Sequence, residues 1–175
     1  RLAAKAAEWL RPGGWCLAYA GNSFLPQVLV VVSQHLDYAW AFACVHTGGD
    51  TGIRKLKIQN GWKPVVGFYK PPLDVWWDWM SDRVSGGKEK DSHEWQQAQA
   101  EASCFIAAMC PVRGLVCDPM CGAGTTLVAA KACDRRFVGC DVDSESIKAT
   151  IARLSQVSCK QDDIAEASAG DSRAA

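Results

Sequence analysis

Asp118-Pro119-Met120-Cys121-Gly122-Ala123-Gly124-Thr125-Thr126 is the stretch on which the reading of this chain turns. Just before it, Gly114-Leu115-Val116-Cys117 is apolar and rich in strand formers, the composition of a short buried strand. Just after it, the run from Thr126 to Ala132 reads as a helix, with Thr125 placed to cap its start. Arg136-Phe137-Val138-Gly139-Cys140 then reads as a second strand, and it ends in an acid, Asp141. Strand, glycine turn, helix, strand, acid is the local order of one half of a nucleotide-binding α/β sheet.

The residue types in that order define a ligand. Gly122 and Gly124 remove side chains where the backbone must turn sharply and a ligand must come close. The helix start beyond them offers unpaired N–H groups and a partial positive charge, worth roughly 0.3–1 kcal/mol to an anion. Asp141, 17 residues after Gly124, falls at the carboxyl end of its strand, where a carboxylate accepts hydrogen bonds from ribose hydroxyls. The ligand therefore carries a ribose and an anionic or polar arm. A dinucleotide fingerprint requires glycine at position 127, and Leu127 stands there, which disfavours a dinucleotide oxidoreductase. A triphosphate loop requires Gly-Lys-Ser/Thr, and no lysine follows Gly124.

What remains, D-P-M-C-G-A-G-T-T followed by R-R-F-V-G-C-D-V-D, closely resembles the S-adenosylmethionine (SAM) motif of the amino-methylating DNA methyltransferases, which modify adenine N6 or cytosine N4. The resemblance implies that Asp118, Pro119, Met120, Gly122, Gly124, Thr125 and Thr126 lie around the methionine part of the cofactor. It implies that Asp141, followed by Val142, binds the ribose. Met120 stands where the family usually has phenylalanine, an apolar exchange. His93-Glu94-Trp95-Gln96-Gln97 and the helix after it match the family's His-containing wall of the SAM pocket, which assigns His93 and Gln97 to that wall. Wall, glycine turn and acid, with the catalytic elements ahead of them, is the family's circularly permuted order. By this resemblance the fold is a Rossmann-like α/β methyltransferase sheet with an antiparallel edge hairpin, the substrate is double-stranded DNA and the location is cytoplasmic. The resemblance is close to methylase domains of phage and prophage-like contexts.

Composition sets wider bounds. At 175 residues the chain is one domain's worth, enough to bury about two-thirds of its unfolded surface. Nineteen basic and nineteen acidic residues cancel, so any contact with nucleic acid uses a local patch. The nine cysteines are scattered through apolar segments, form no C-x-x-C pair and are odd in number, which favours buried reduced thiols over a disulfide framework. Cys117 and Cys121 lack the neighbouring ligands of a zinc site. No run approaches 18 apolar residues, so no membrane span is expected. The sequence starts at Arg1, inside a helical pattern and without a signal peptide, which reads as a fragment or trimmed product.

Along the chain, helical spacing over 1–11 stops at Arg11-Pro12-Gly13-Gly14, and Trp15 to Ala20 reads as a buried strand. Phe24 to His35 reads as a helix capped by Ser23, although its run of valines also suits a strand. Tyr38 to Val45 and Trp62 to Lys70 read as an antiparallel pair. Between them Arg54, Lys55, Lys57 and Lys63 make the most basic stretch, which is either a solvated loop or a set of phosphate contacts on DNA. Trp76-Trp77-Asp78-Trp79 either packs over the sheet or stacks on an extruded base. Residues 83–91 read as a polar loop, Ala98 to Met109 as a helix, Ser144 to Leu154 as the last helix capped by Asp143 or Ser144, and 158–175 as a disordered tail. The domain expectation is one partial methyltransferase domain over 1–157: a catalytic-side half (1–70), a variable DNA-facing segment (71–92) and a SAM-binding half (93–157).

The resembled family performs its chemistry with an Asp/Asn/Ser-Pro-Pro-aromatic tetrapeptide that holds the extruded base. Lys70-Pro71-Pro72-Leu73 is the only Pro-Pro in the chain, and it matches at neither end. In the permuted order the tetrapeptide belongs shortly before Arg1, on a strand lying centrally between those at 15–20 and 115–118. The expectation is therefore a sheet without its central strand, and a chain inactive by itself. The alternative is a non-catalytic SAM-binding remnant or subunit.

Overall fold

The computed structural model describes residues 1–46, 51–53, 56–77, 79–86 and 99–157. The chain divides into two compact units, with the boundary between Lys88 and Glu89. His93 and Gln97, Arg54 and Lys55, Asp78 and the tail from 158 lie outside the described residues.

The first unit is built on a four-stranded sheet. Its elements are α1 (Leu2–Trp9), β1 (Trp15–Tyr19), a single 3-10 turn (Asn22–Phe24), α2 (Leu25–Val32), β2 (Asp37–His46), β3 (Thr51–Ile53), β4 (Ile58–Asn60), β5 (Trp62–Tyr69) and β6 (Arg83–Gly86). The sheet order is β1-β5-β2-β6. β5 runs antiparallel to both neighbours, with Leu17 and Trp40 opposite Gly67, while β6 runs parallel to β2. The antiparallel pair expected of the second and third long strands is thus formed, and both its members are inner strands. Having a neighbour on each side explains the β5 sequence: Pro64 to Phe68 is continuously buried, as a central strand requires. Gly67 is needed there because a Cβ would stand 3.2 Å from the Phe42 ring and 3.3 Å from the Trp15 ring.

α2 settles the ambiguity of the valine run. Leu25, Val28, Leu29 and Val32 pack on the core of Leu36, Val66 and Phe68, at the i, i+3, i+4, i+7 spacing of one helix face. Val30 and Val31 face outward. Pro26 in the first turn fixes a helical φ and gives up an N–H that has no partner there. The helix is shorter than expected, because residues 22–24 form the tighter turn and the chain leaves helical geometry after Ser33. Residues 51–53 and 58–60, in a stretch expected as loop or phosphate contacts, form the short antiparallel pair β3–β4, with Lys57 just before β4 at φ 53°. Residues 83–86, also expected as loop, form β6, because the exposed edge of β2 offers them backbone partners.

The aromatic segment is used for packing at Trp77. Its ring meets Trp15 and Trp76 edge-on at 5.1 and 5.4 Å, while the Arg11 guanidinium lies 5.8 Å over Trp76. Lys70 has a structural task of its own. Its ammonium donates to the carbonyls of Ala7 and Leu10 at 2.7 and 2.8 Å, closing the C-terminal end of α1.

The second unit contains α3 (Gln99–Met109), β7 (Leu115–Asp118), α4 (Thr125–Ala132), β8 (Arg136–Gly139) and α5 (Ser144–Gln156). β7 and β8 pair in parallel, Leu115 opposite Arg136 and Asp118 opposite Gly139. One face of the pair, through Val116 and Phe137, packs on Ala102, Ile106, Ala129 and Ala130 of α3 and α4. Arg135 joins the ends of those two helices, since its guanidinium donates to the carbonyls of Ala107, Cys110 and Cys133. The described strands thus fall into three separate sheets: β1-β5-β2-β6, with β1 at its end, the β3–β4 pair, and the β7–β8 pair.

Candidate cofactor site

The turn between β7 and α4 is a set of backbone commitments made around Asp118 and Asp141. Asp118 ends β7, and its Oδ1 accepts the Met120 N–H at 3.1 Å, starting the turn. The Cys121 N–H donates to the Cys140 carbonyl at 3.0 Å, and the Cys140 N–H donates to the Asp118 carbonyl at 3.1 Å. The turn and the end of β8 are therefore zipped together. The Gly124 N–H then donates to the Cys121 carbonyl at 2.8 Å and closes the turn.

Both glycines are used for their left-handed backbone, at φ 50° for Gly122 and 78° for Gly124. Their surroundings differ. A Cβ on Gly124 would stand 2.5–2.9 Å from Thr150 of α5, whereas one on Gly122 would meet nothing within 4 Å. Gly124 is a packing glycine, and Gly122 faces open space.

Gly124 is also the N-cap of α4, with no side-chain cap, so the expectation that Thr125 caps the helix is corrected. Thr125 is the first helical residue, and its buried hydroxyl accepts from the Arg153 guanidinium at 3.2 Å. The last helix does take its cap from Asp143, whose carboxylate accepts the N–H groups of Glu145 and Ser146.

Asp141 has a task that the sequence does not disclose. Its Oδ2 accepts the Gly122 N–H at 2.8 Å and its Oδ1 the Asp143 N–H at 3.0 Å. The Asp143 and Gly122 N–H groups hold its carboxyl below the ordinary aspartate range. The Val142 N–H adds to the same effect, and a carboxylate with about four acceptor sites keeps capacity for a ligand hydroxyl. Two apolar side chains of the turn and strand end are exposed, Met120 at 70% and Val142 fully. Burial, with Asp118 next in importance, pushes the Cys117 and Cys121 thiols up, so they stand as neutral thiols at pH 7.

Leu127 explains why the dinucleotide fingerprint is absent. A Cβ on Gly139 of β8 would lie 2.6 Å from the Leu127 side chain. Close helix–strand packing is achieved here with glycine on the strand and leucine on the helix, the reverse of the fingerprint's arrangement.

Of the sequence-predicted site residues, the structure brings together Asp118, Pro119, Met120, Gly122, Gly124, Thr125, Thr126, Asp141 and Val142 on this one turn and the end of β8. Of the basic residues, Lys57 is exposed just before β4 and Lys63 is half-buried in β5. Sequence reasoning missed Thr150 and Arg153, which reach the turn from α5. Thr150 donates to the Gly122 carbonyl at 2.8 Å, and Arg153 donates to the Ala123 carbonyl at 2.6 Å. Their i, i+3 spacing was the available signal, but nothing local says which turn they address. Among the described residues no cluster of His, Cys, Asp and Glu could hold a metal ion, and no helix is long and apolar enough to cross a membrane.

Comparison with known proteins shows the family and the fold. The N6/N4-type DNA methylase family matches residues 50–152, more than half of the chain. DNA adenine methyltransferase YhdJ of Escherichia coli (strain K12) is 28% identical over 136 residues, 77% of this chain and 45% of that protein. This chain therefore spans less than half the length of that relative. Among solved structures, the complex of M1.HpyAVI with SAM superposes with a TM-score of 0.77 at 18% identity, covering 87% of this chain and 80% of the other. The cytosine-N4-specific PvuII DNA methyltransferase gives 0.75 at 15% identity, covering 90% and 70%. The Rossmann-like methyltransferase fold is shared by all of these. The chain belongs to the N6/N4-type DNA methylase family.

Proposed function

We propose that this protein is a SAM-dependent DNA amino-methyltransferase acting on adenine N6 or cytosine N4, and that residues 118–126 with Asp141 and Val142 hold the cofactor. The observation that carries the proposal is the Gly122 turn. It is left-handed, has room for a ligand at Gly122, and is fastened to the acid that ends the next strand. These residues fit the cofactor. The open face of Gly122 and the exposed Met120 admit its methionine arm, the carboxylate of Asp141 accepts from its ribose, and Val142 offers apolar surface to its adenine. By the family resemblance we also assign His93 and Gln97 to the cofactor site. When bound, SAM supplies a methyl group activated by its sulfonium. The chain's own residues bind it and orient it, and the turn's hydrogen bonds are already made before it arrives.

Double-stranded DNA is the proposed partner, with Lys57 and Lys63, joined by Arg54 and Lys55, as phosphate contacts. An adenine-specific relative and a cytosine-N4-specific structural neighbour support the two acceptors equally. We assign residues 1–70 to the catalytic side, 71–92 to a DNA-facing segment and 93–157 to the SAM side of a cytoplasmic protein. The eight cysteines among the described residues form no disulfide with one another, in keeping with that compartment.

The 175 residues by themselves are proposed to bind SAM without transferring its methyl group. Their one Pro-Pro follows Lys70, whose ammonium is committed to α1 rather than to a base. This favours, for the isolated chain, a second reading as a SAM-binding, non-catalytic module.

Calorimetric titration with SAM and, separately, NAD tests the assignment. The chain is expected to bind SAM and Asp141→Ala to lose it. Absence of SAM binding, or binding of NAD alone, overturns it. A methyl-transfer assay on duplex DNA with the same chain is expected to give no turnover, and robust turnover refutes the non-catalytic reading.

A further inference from the structure

We infer that Thr150 and Arg153 of α5 are positioning residues for the cofactor, which set the turn's peptide planes from behind. This rests on the assignment of the turn as the SAM site.

Two consecutive carbonyls of the turn, Gly122 and Ala123, are both drawn towards α5. The Thr150 hydroxyl donates to the first at 2.8 Å and the Arg153 guanidinium to the second at 2.6 Å. In a trans peptide the C=O and the following N–H point in opposite directions. Fixing the Gly122 carbonyl therefore directs the Ala123 N–H away from α5, out of the turn. Fixing the Ala123 carbonyl directs the Gly124 N–H to the Cys121 carbonyl, which closes the turn. Without these donors the two peptide planes are free to rotate, and glycine on either side of Ala123 makes that rotation easy.

Packing reinforces the point. Thr150 is 4% exposed, and its side chain occupies the space that a Cβ on Gly124 would need. Arg153 also donates to the Thr125 hydroxyl at 3.2 Å, so its cation stands at the N-terminus of α4. A cation there opposes the helix macrodipole and is unfavourable to α4 alone. It is favourable to an anion held at the same helix end, and the cofactor's methionine arm carries a carboxylate. The arrangement thus serves the ligand better than it serves the helix.

The test is SAM titration of the 175-residue chain against Thr150→Val, Thr150→Ser, Arg153→Met and Arg153→Lys, with thermal unfolding measured on each. Valine keeps the shape of threonine and loses the donor. Thr150→Val is expected to weaken SAM binding roughly fivefold to tenfold, the effect of one lost hydrogen bond. Arg153→Met is expected to weaken it at least as much. Thr150→Ser and Arg153→Lys, which keep a donor, should recover most of the affinity at a melting temperature no higher than that of the Val and Met variants. Wild-type affinity in both Thr150→Val and Arg153→Met overturns the inference. So does an affinity that follows the melting temperature across all four variants whether or not the donor is kept. If Thr150→Val does not fold, the Arg153 pair decides on the same criteria. Absence of SAM binding by the wild-type chain is a different result: it removes the cofactor assignment itself.

Discussion

Replacing each of the two left-handed glycines by alanine separates what holds the turn together from what leaves it open. Gly124→Ala forces a Cβ into a backbone at φ 78°, at a cost of about 1–2 kcal/mol for an L-residue. It also drives that Cβ to 2.5 Å from the Thr150 methyl and 2.6 Å from its hydroxyl, an overpacking worth roughly 1–3 kcal/mol. The sum, about 3 kcal/mol, is a large part of a typical domain stability of about 5–15 kcal/mol. In urea, with a slope of about 2 kcal/mol/M, it lowers the midpoint by about 1.5 M. Gly122→Ala bears the backbone term alone, because its Cβ meets nothing within 4 Å, and should lower the midpoint by only about 0.5–1 M. Its new methyl stands in the open space offered to the ligand, so SAM affinity falls while the fold remains. Trimming Thr150 to alanine in the Gly124→Ala background removes the nearest clashing atoms, and the double-mutant cycle should show favourable coupling of about 1–3 kcal/mol. Equal stability losses from the two glycine variants, or a coupling near zero, would refute the reasoning.

Two further outcomes follow from single groups. The Asp141 carboxyl lies below its ordinary pKa because the Asp143 and Gly122 N–H groups bond its charged form. Its stabilising contribution is therefore complete above the unfolded value of about 3.9 and is lost as pH falls through the lower folded value. The acid limb of a melting-temperature profile between pH 2 and 5 should flatten in Asp141→Asn, and an unchanged limb would remove Asp141 from the account. Lys70→Met leaves the Ala7 and Leu10 carbonyls without their ammonium donor. It should lower stability by about 1–2 kcal/mol by urea unfolding, read through far-ultraviolet circular dichroism, with SAM affinity retained. Loss of SAM affinity with full stability would contradict the structural task given to Lys70.

How much of this the sequence disclosed depends on how local each cause is. The β7–turn–α4–β8 unit was legible because each part announces itself within a few residues: an apolar strand, spaced glycines, helix formers and a terminal acid. Nine of the expected cofactor residues, Asp118 to Val142, lie within 25 positions of one another on this unit, while His93 and Gln97 fall outside the described residues. Asp141 was found but its partner was not, since nothing in the sequence says that its carboxylate holds the Gly122 amide. Thr125 was misread as a cap because a positive φ at Gly124 shifts the cap by one residue and Arg153, 28 positions away, claims its hydroxyl. β6 was missed because its residues are polar, and only the open edge of β2 makes a strand of them. The valine run of α2 was decided by tertiary packing on one face, which overrides the strand preference of β-branched residues.

The place of β5 between β1 and β2 also sets a timetable. β1 and β2 run in the same direction and do not pair with each other, so the strand that joins them is the last of the three to be made. Twenty-three residues separate His46, the end of β2, from Tyr69, the end of β5. At a synthesis rate of about 5–20 residues per second this is a wait of roughly one to five seconds, in which two strands with exposed hydrogen-bonding edges stand without their common partner. During that interval the nascent first unit is open to strand capture by other chains. The lysines at 55, 57 and 63, which arrive just ahead of and within the joining strand, then also act as charged gatekeepers against mispairing.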